Sequence, residues 1–341
     1  MSYDIDIVIP WVDGADPEWR AAFRAARDGT ANVPVVVTGA DENSSDIRYR
    51  DWDTLRWWFR GVERFAPWVR RIHFVTWGHV PEWLDLQNPR LRVVRHGDYI
   101  PAEYLPTFAS RPIELCAHLI PGLAERFILF NDDMFFTRPV AEGRFFCAKS
   151  GLPRDMARLS LIARSTISHT VLNMTEVLNR RHSRAEVMRS HAAKWYSPRY
   201  GAGNLLKTLD LSVWRQFAGL ADTHMPQPYL RSTFERMWVE EFAILDATCR
   251  ERFRSPFGVN HWLMRYEQLA RGEFSPVGFR DARLDHLAED RIGEVERYIR
   301  ARKYAMICLN DSPMLGDFVA VRDRLAKALD HILPQKSSYE I

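Results

Sequence analysis

Residues 4–17 read DIDIVIPWVDGADP, and the fold is decided here. Asp4–Pro10 is a β-branched run ended by proline, the pattern of a buried strand. Pro17 then opens a helix running to Arg27, because proline suits a first helical turn. The same alternation continues outward. Asp51–Phe65 places Leu55, Trp58, Phe59, Val62 and Phe65 on one helical face, with Asp51 as the expected N-cap and Pro67 as the stop. Ile72–Trp77 (IHFVTW) and Leu91–Arg95 (LRVVR) read as strands. Pro112–Leu119 reads as a helix with Ser110 as its cap. Phe127–Phe130 (FILF) is a short apolar strand that runs into Asn131-Asp132-Asp133. Strands and helices alternating at this spacing predict an α/β layer around a mostly parallel sheet.

Beyond residue 150 the chain reads as more helical and more basic, with Arg180-Arg181-His182 and a glycine-containing loop, YSPRYGAGN. Phe234–Phe253 and Ala288–Lys303 read as amphipathic helices, and Val319–Leu329 as a last helix before a polar tail. The 341 residues include 47 Lys plus Arg and 44 Asp plus Glu, a net charge of +3, so the overall basic bias of a nucleic-acid binder is absent and no nucleic-acid partner is expected. No run of about 18 uncharged apolar residues predicts a membrane span. Residues 1–13 lack the basic start and long apolar core of a secretory signal. The cysteines, Cys116, Cys147, Cys249 and Cys308, form no C-x-x-C pair and read as buried thiols in a reducing compartment.

Several short strings could carry chemistry. Asn131-Asp132-Asp133 lies at a strand's carboxyl end, where open α/β sheets bind ligands; adjacent carboxylates there suit Mg²⁺ or Mn²⁺, and equally a polar turn. Trp11-Val12-Asp13-Gly14 joins a strand to a helix N-terminus, whose free N–H groups can hold a phosphate; Asp13 could meet a ribose, a base or the metal, or simply shape the turn. Arg48 and Arg50 could grip phosphates, or form a solvated basic turn. Glu114 and His118 lie four apart on a predicted helix and would share a face, as a surface ion pair would. His224 suits a general base, and Arg252 or Arg254 could offset charge on a transferring phosphoryl group. Asp311, after the apolar run Ile307–Leu309, is a second strand-end acid. Many of the twelve tryptophans fit a core, and some could stack on sugar or base rings.

Taken in order, these strings resemble the Stealth family of sugar-phosphate transferases, which includes bacterial capsular polysaccharide phosphotransferases and an N-acetylglucosamine-1-phosphotransferase. The matching blocks are Ile5–Pro17; the stretch from Arg48-Tyr49-Arg50-Asp51 to Asn131-Asp132-Asp133; His224-Met225-Pro226 through Arg252-Phe253-Arg254-Ser255; and Cys308-Leu309-Asn310-Asp311 with Lys336–Glu340. The resemblance implies a glycosyltransferase-A-like α/β fold with helical additions. With the chain's own composition, this gives an expected division into a nucleotide-sugar-binding half (1–150), a helical, basic insertion (151–225) and a C-terminal part completing the active site (226–341). It implies transfer of hexose 1-phosphate from a UDP-sugar to a glycan hydroxyl, with UMP released and Mg²⁺ or Mn²⁺ as cofactor.

The implied active-site positions are Asp133, Glu114, His224, Arg254 and Asp311, with Asp13 and Gly14 lining the donor site. The expected mechanism has Asp132 or Asp133 and Asp311 holding the cation, and His224 taking the hydroxyl proton. Glu114 orients that base or the acceptor, and Arg254 with Arg50 offsets phosphoryl charge. Two rival readings share these features: a metal-dependent glycosyltransferase releasing UDP, and a non-catalytic carbohydrate-binding protein. The expected location is the cytoplasm; Arg180–Arg189 could help peripheral docking at the inner membrane face or bind an anionic polymer, and reads first as a solvated helix face. The chain departs from the family pattern at Trp52, Trp77 and Cys116, where Asn, Asn and His are usual, and residues 155–223 resemble the family loosely.

Overall fold

The computed structural model describes residues 3–29, 50–163, 165–312 and 315–341. In chain order its strands are β1 (Ile5–Pro10), β2 (Arg71–Thr76), β3 (Leu91–Arg95), β4 (Arg126–Leu129), β5 (Met134–Phe136), β6 (Arg154–Asp155), β7 (Gln227–Leu230), β8 (Ser275–Pro276), β9 (Ala282–His286) and β10 (Met306–Asn310). The helices are α1 (Pro17–Gly29), α2 (Leu55–Phe65), α3 (Ser110–Leu115), α4 (Ser168–Arg181), α5 (Arg184–Ser190), α6 (Ala192–Trp195), α7 (Ala202–Leu211), α8 (Arg231–Glu240), α9 (Phe242–Arg250), α10 (Trp262–Ala270), α11 (Ile292–Arg300) and α12 (Phe318–Ile332).

The central sheet has the order β3-β2-β1-β4-β7. Its first four strands are parallel, and β7 runs antiparallel against β4, so the sheet is mixed at one edge. β1 is apolar on both faces because both faces are covered. Ile5, Ile7 and Ile9 enter one core with Trp58, Phe59 and Val62 of α2 and with residues of α11 and α12. Val8 points the other way, into a second core with Leu115, Phe127, Met174, Phe234 and Tyr266. Asp6 shares that second face. It is fully buried and held by Arg70 (Nη2–Oδ2 2.5 Å), His73 (3.0 Å) and the Ala124 amide (2.9 Å), which together hold its carboxyl below the usual range against the cost of burial.

A second sheet, β5-β10-β9, was not legible as such. β10 pairs antiparallel with β5 and parallel with β9, so Cys308 lies opposite Met134. The chain passes from the central sheet to this one through Asn131-Asp132-Asp133, and the Leu309 amide bonds the Asp133 carbonyl (2.9 Å). The acidic turn therefore sits on the seam between the two sheets.

Local departures have physical reasons. The α2 helix begins at Leu55 with Thr54 in the N-cap position; Asp51 instead accepts the Asp53 amide (2.8 Å), and Asp53 has φ of 52°. The long helix expected over 234–253 is two helices broken at Glu241, whose carboxylate is drawn to Arg180 (2.5 Å) and Arg181 (3.0 Å). Those pairs engage Arg180 and Arg181 of the basic string, while Arg180 and Arg189 stay exposed. All four cysteines are free, and Cys147 is half-buried while the others are buried. No helix among the described residues is long and apolar enough to cross a membrane.

Candidate active site

Asp133 occupies the seam. One donor atom each from Asp133, His224 and Cys308 lies within 4.8 Å of the others, a triad able to hold a metal ion. Asp133 Oδ1 is buried and has no hydrogen-bond partner among the described residues. Burial raises its pKa, opposed by the nearby His224 charge. The Cys308 thiol is pushed well up by burial beside Asp133, so it stays protonated and is a poor ligand for a hard cation. The neighbouring Asp132 is exposed at the rim, yet the protein packed around it, then the charges of Asp133 and Asp51, raise its pKa to about 7. An orphaned carboxylate oxygen among crowded acids fits a divalent cation bound mainly through oxygen.

Beside the triad is a cavity of about 110 Å³, lined by Ser110, Glu114, Asn131, His224, Arg254 and His261 among others. Three separate stretches reach it: α3 supplies Glu114, the turn before β7 supplies His224, and the loop after α9 supplies Arg254. His224 has φ of 47°, a left-handed conformation that aims it from the turn. Glu114 is 7% exposed, and burial pushes its carboxyl up to about 7 despite Arg254, the Ser110 hydroxyl and Arg111. Arg254 Nη2 donates to Ser110 Oγ (3.2 Å). Arg111 is tied to the Ser255 carbonyl and to Thr170 Oγ1 (2.7 Å), which fixes the loop carrying Arg254.

The residue that reading the sequence missed here is His261. Its Nε2 lies 4.0 Å from Glu114 Oε2, and its Nδ1 lies 2.7 Å from the Tyr229 hydroxyl, which donates to the His261 carbonyl at 3.0 Å. Burial pushes this imidazole down to about 3, so it is neutral beside Glu114. Nothing in its local sequence marks it. His118, paired with Glu114 on a predicted helical face, goes elsewhere: α3 ends at Leu115, and His118 packs against Phe234 and Trp238.

A wider groove, about 520 Å³, opens at the carboxyl ends of β1 and β2 between Trp11 and Trp83. Asp13, Asp51, Asp53 and Glu82 line it. Asp51 is raised by burial and by Asp53 and Asp13, and its charge reaches Asp132, so the groove and the seam are electrostatically continuous. Gly14 is buried in the turn, its carbonyl accepting from Arg20 Nε (2.7 Å). Asp311 is gripped by Arg50 (Nε 3.0 Å, Nη2 2.5 Å) and by the Trp52 indole (3.1 Å), so both of its oxygens are occupied and it is not in the Asp133 triad. Trp52 thus supplies a donor to Asp311. Trp77 packs on the α1 side with Trp19 and Phe23. Arg48 lies outside the described residues.

Residues 3–31 match the model of Stealth protein conserved region 1, and residues 48–153 that of conserved region 2. Over the full length of both chains, this one is 36% identical to the capsular polysaccharide phosphotransferase WcwK of Streptococcus pneumoniae. The chain belongs to the Stealth family. Its similarity extends to the receptor polysaccharide phosphotransferase WefC of Streptococcus gordonii, 37% identical over all of both chains. It extends also to the exopolysaccharide phosphotransferase cps2G of Lactiplantibacillus plantarum, 32% identical over 99% of this chain and 96% of that one. This Stealth protein is accordingly an enzyme of the phosphotransferase class. Conserved region 1 is β1, the W-V-D-G turn and α1; conserved region 2 carries Glu114 and the acidic turn. His224, Arg254 and Asp311 lie beyond both regions, in sequence the full-length relatives also cover.

Proposed function

We propose that this chain transfers hexose 1-phosphate from a UDP-sugar to a glycan hydroxyl, releasing UMP, in capsular or exopolysaccharide synthesis. The observation that carries the reading is the meeting of Glu114, His224 and Arg254 in one cavity beside the orphaned oxygen of Asp133. On this reading the fold is glycosyltransferase-A-like, with the nucleoside in the Trp11–Trp83 groove and the diphosphate lying toward the seam.

Asp133 and Asp132 would hold Mg²⁺ or Mn²⁺, which when bound neutralises diphosphate charge and stabilises the leaving UMP. Asp311 serves by fixing the Arg50 guanidinium. The acceptor oxygen attacks the β-phosphorus as the bond from that phosphorus to the bridging oxygen breaks, and the bridging oxygen leaves with UMP. His224 takes the hydroxyl proton, and the Asp133 carboxylate beside it offsets the charge the ring acquires. Glu114, near neutrality in its pKa, orients the acceptor and can exchange a proton with it. Arg254 faces the equatorial phosphoryl oxygens. Since UDP-sugars are made in the cytoplasm, the reaction belongs there, at the inner membrane face if the acceptor is lipid-linked.

Incubation with a panel of UDP-hexoses, Mg²⁺ and glycan acceptors tests this. The expected products are UMP and a phosphodiester-linked glycan. Release of UDP instead would establish glycosyl transfer, and sugar binding without consumption of any nucleotide sugar would leave a carbohydrate-binding protein.

A further inference from the structure

A histidine that is not part of the groove's lining, His79, bonds the turn that carries Asp13. Asp13 lies in the turn after β1. Its carboxylate accepts the Ala15 amide (2.7 Å), and its carbonyl accepts the Asp16 amide (3.2 Å). Its own amide donates across to His79 Nε2 at 2.7 Å. That bond joins the loop after β1 to the loop after β2. His79 is itself anchored: Thr76 Oγ1 donates to the His79 carbonyl (2.6 Å) and accepts the Gly78 amide (2.8 Å). The ring stands edge-on to Trp11, centroids 5.3 Å apart at 87°.

These contacts settle the protonation state of the ring. A nitrogen that accepts from an amide carries no proton, so the hydrogen sits on Nδ1, which has no hydrogen-bond partner among the described residues; the Asp16 carboxylate is 3.9 Å away. A doubly protonated ring would set N–H against N–H and release Asp13. Burial lowers the His79 pKa, in keeping with a neutral ring.

We infer that His79 is a positioning residue for the nucleotide groove: as a hydrogen-bond acceptor it fixes the Asp13 backbone and the Trp11 indole, without touching the ligand. Its consequence for nucleotide binding rests on the groove being the donor site; its effect on the Asp13 turn does not.

The test compares His79→Leu, which removes the acceptor, with His79→Gln, whose amide oxygen reaches to where Nε2 lies. Two measurements are made on each intact protein: hydrogen exchange of the Asp13 amide without ligand, and calorimetric titration with UDP and Mg²⁺. In His79→Leu, Asp13 exchange should speed up and UDP should bind about tenfold more weakly, the scale of one lost buried hydrogen bond. In His79→Gln both should return to within about threefold of the parent protein. Unchanged Asp13 exchange in His79→Leu, or identical behaviour of the Gln and Leu variants, overturns the inference. A parent protein that takes up no UDP sinks the donor reading instead, and Asp13 exchange still decides the role of His79.

Discussion

At the scale of single residues, Glu114 shows how a site is built at a cost to the fold. Its carboxyl ionises normally near 4.5 but at about 7 in the folded chain, because burial outweighs Arg254, Ser110 and Arg111. The folded state therefore holds a proton that the unfolded state has released across that window. Stability attributable to this group falls as pH rises from about 4.5 to about 7 and stays low above it. Glu114→Gln, uncharged at every pH, should match the parent in urea unfolding near pH 4.5 and exceed it by about 1–3 kcal/mol at pH 8. The same variant should lose at least about 10²-fold in phosphotransfer if Glu114 handles a proton. His224→Ala should lose about 10²–10⁴-fold, read as UMP release at saturating donor; near-normal turnover would remove His224 as the base.

At the scale of elements, the C-terminal tail behaves as a strap. Glu340 pairs with Arg60 of α2 through two bonds of 2.8 Å, and Asn88 Nδ2 donates to the Ser338 carbonyl (2.9 Å). The Tyr339 ring is buried against Phe59, and the Ile341 amide bonds the Trp83 carbonyl (2.9 Å) at the groove's edge. The Glu340 carboxylate is 2% exposed and Arg60 is 10% exposed, so Glu340→Ala takes the bidentate partner from a largely buried guanidinium and leaves it the Leu333 carbonyl (3.0 Å) and the exposed Asp330 (3.4 Å). Equilibrium unfolding should show a loss of about 1–3 kcal/mol, less than for a wholly unpaired buried charge. Arg60 lowers the Glu340 pKa against the opposing effect of burial. The pair's contribution is therefore present above the usual carboxylate range and lost as pH falls below it. Periodicity made α2 legible, since Leu55, Trp58, Phe59 and Val62 form its buried stripe. The strand ends at Asp13 and Asp133 were equally plain, because apolar runs stop there. What periodicity cannot carry is pairing between distant stretches. The break at Glu241 and the Tyr229–His261–Glu114 line each depend on partners far away in sequence.

At the scale of the whole molecule, two sheets meet at one acidic turn, and the charge gathered there sets a requirement. Asp13, Asp51 and Asp53 line the groove, the charge of Asp51 reaches Asp132, and Arg56, the groove's one lining guanidinium among the described residues, is turned over the Trp83 ring at 5.3 Å. Like charges at this density repel a diphosphate, and Asp133 Oδ1 has no hydrogen-bond partner among the described residues. A cation answers both needs at once, so binding of cation and nucleotide should be mutually dependent. Mg²⁺ or Mn²⁺ alone should raise the melting temperature of the parent protein, and a chelator should weaken UDP binding by about tenfold or more. Asp133→Asn keeps the shape of the side chain while halving its charge-bearing oxygens, and should melt no lower than the parent without metal. It should show no melting shift with either cation. A full cation-induced shift in Asp133→Asn would move the cation elsewhere in the groove and leave Asp133 as the partner of His224 alone.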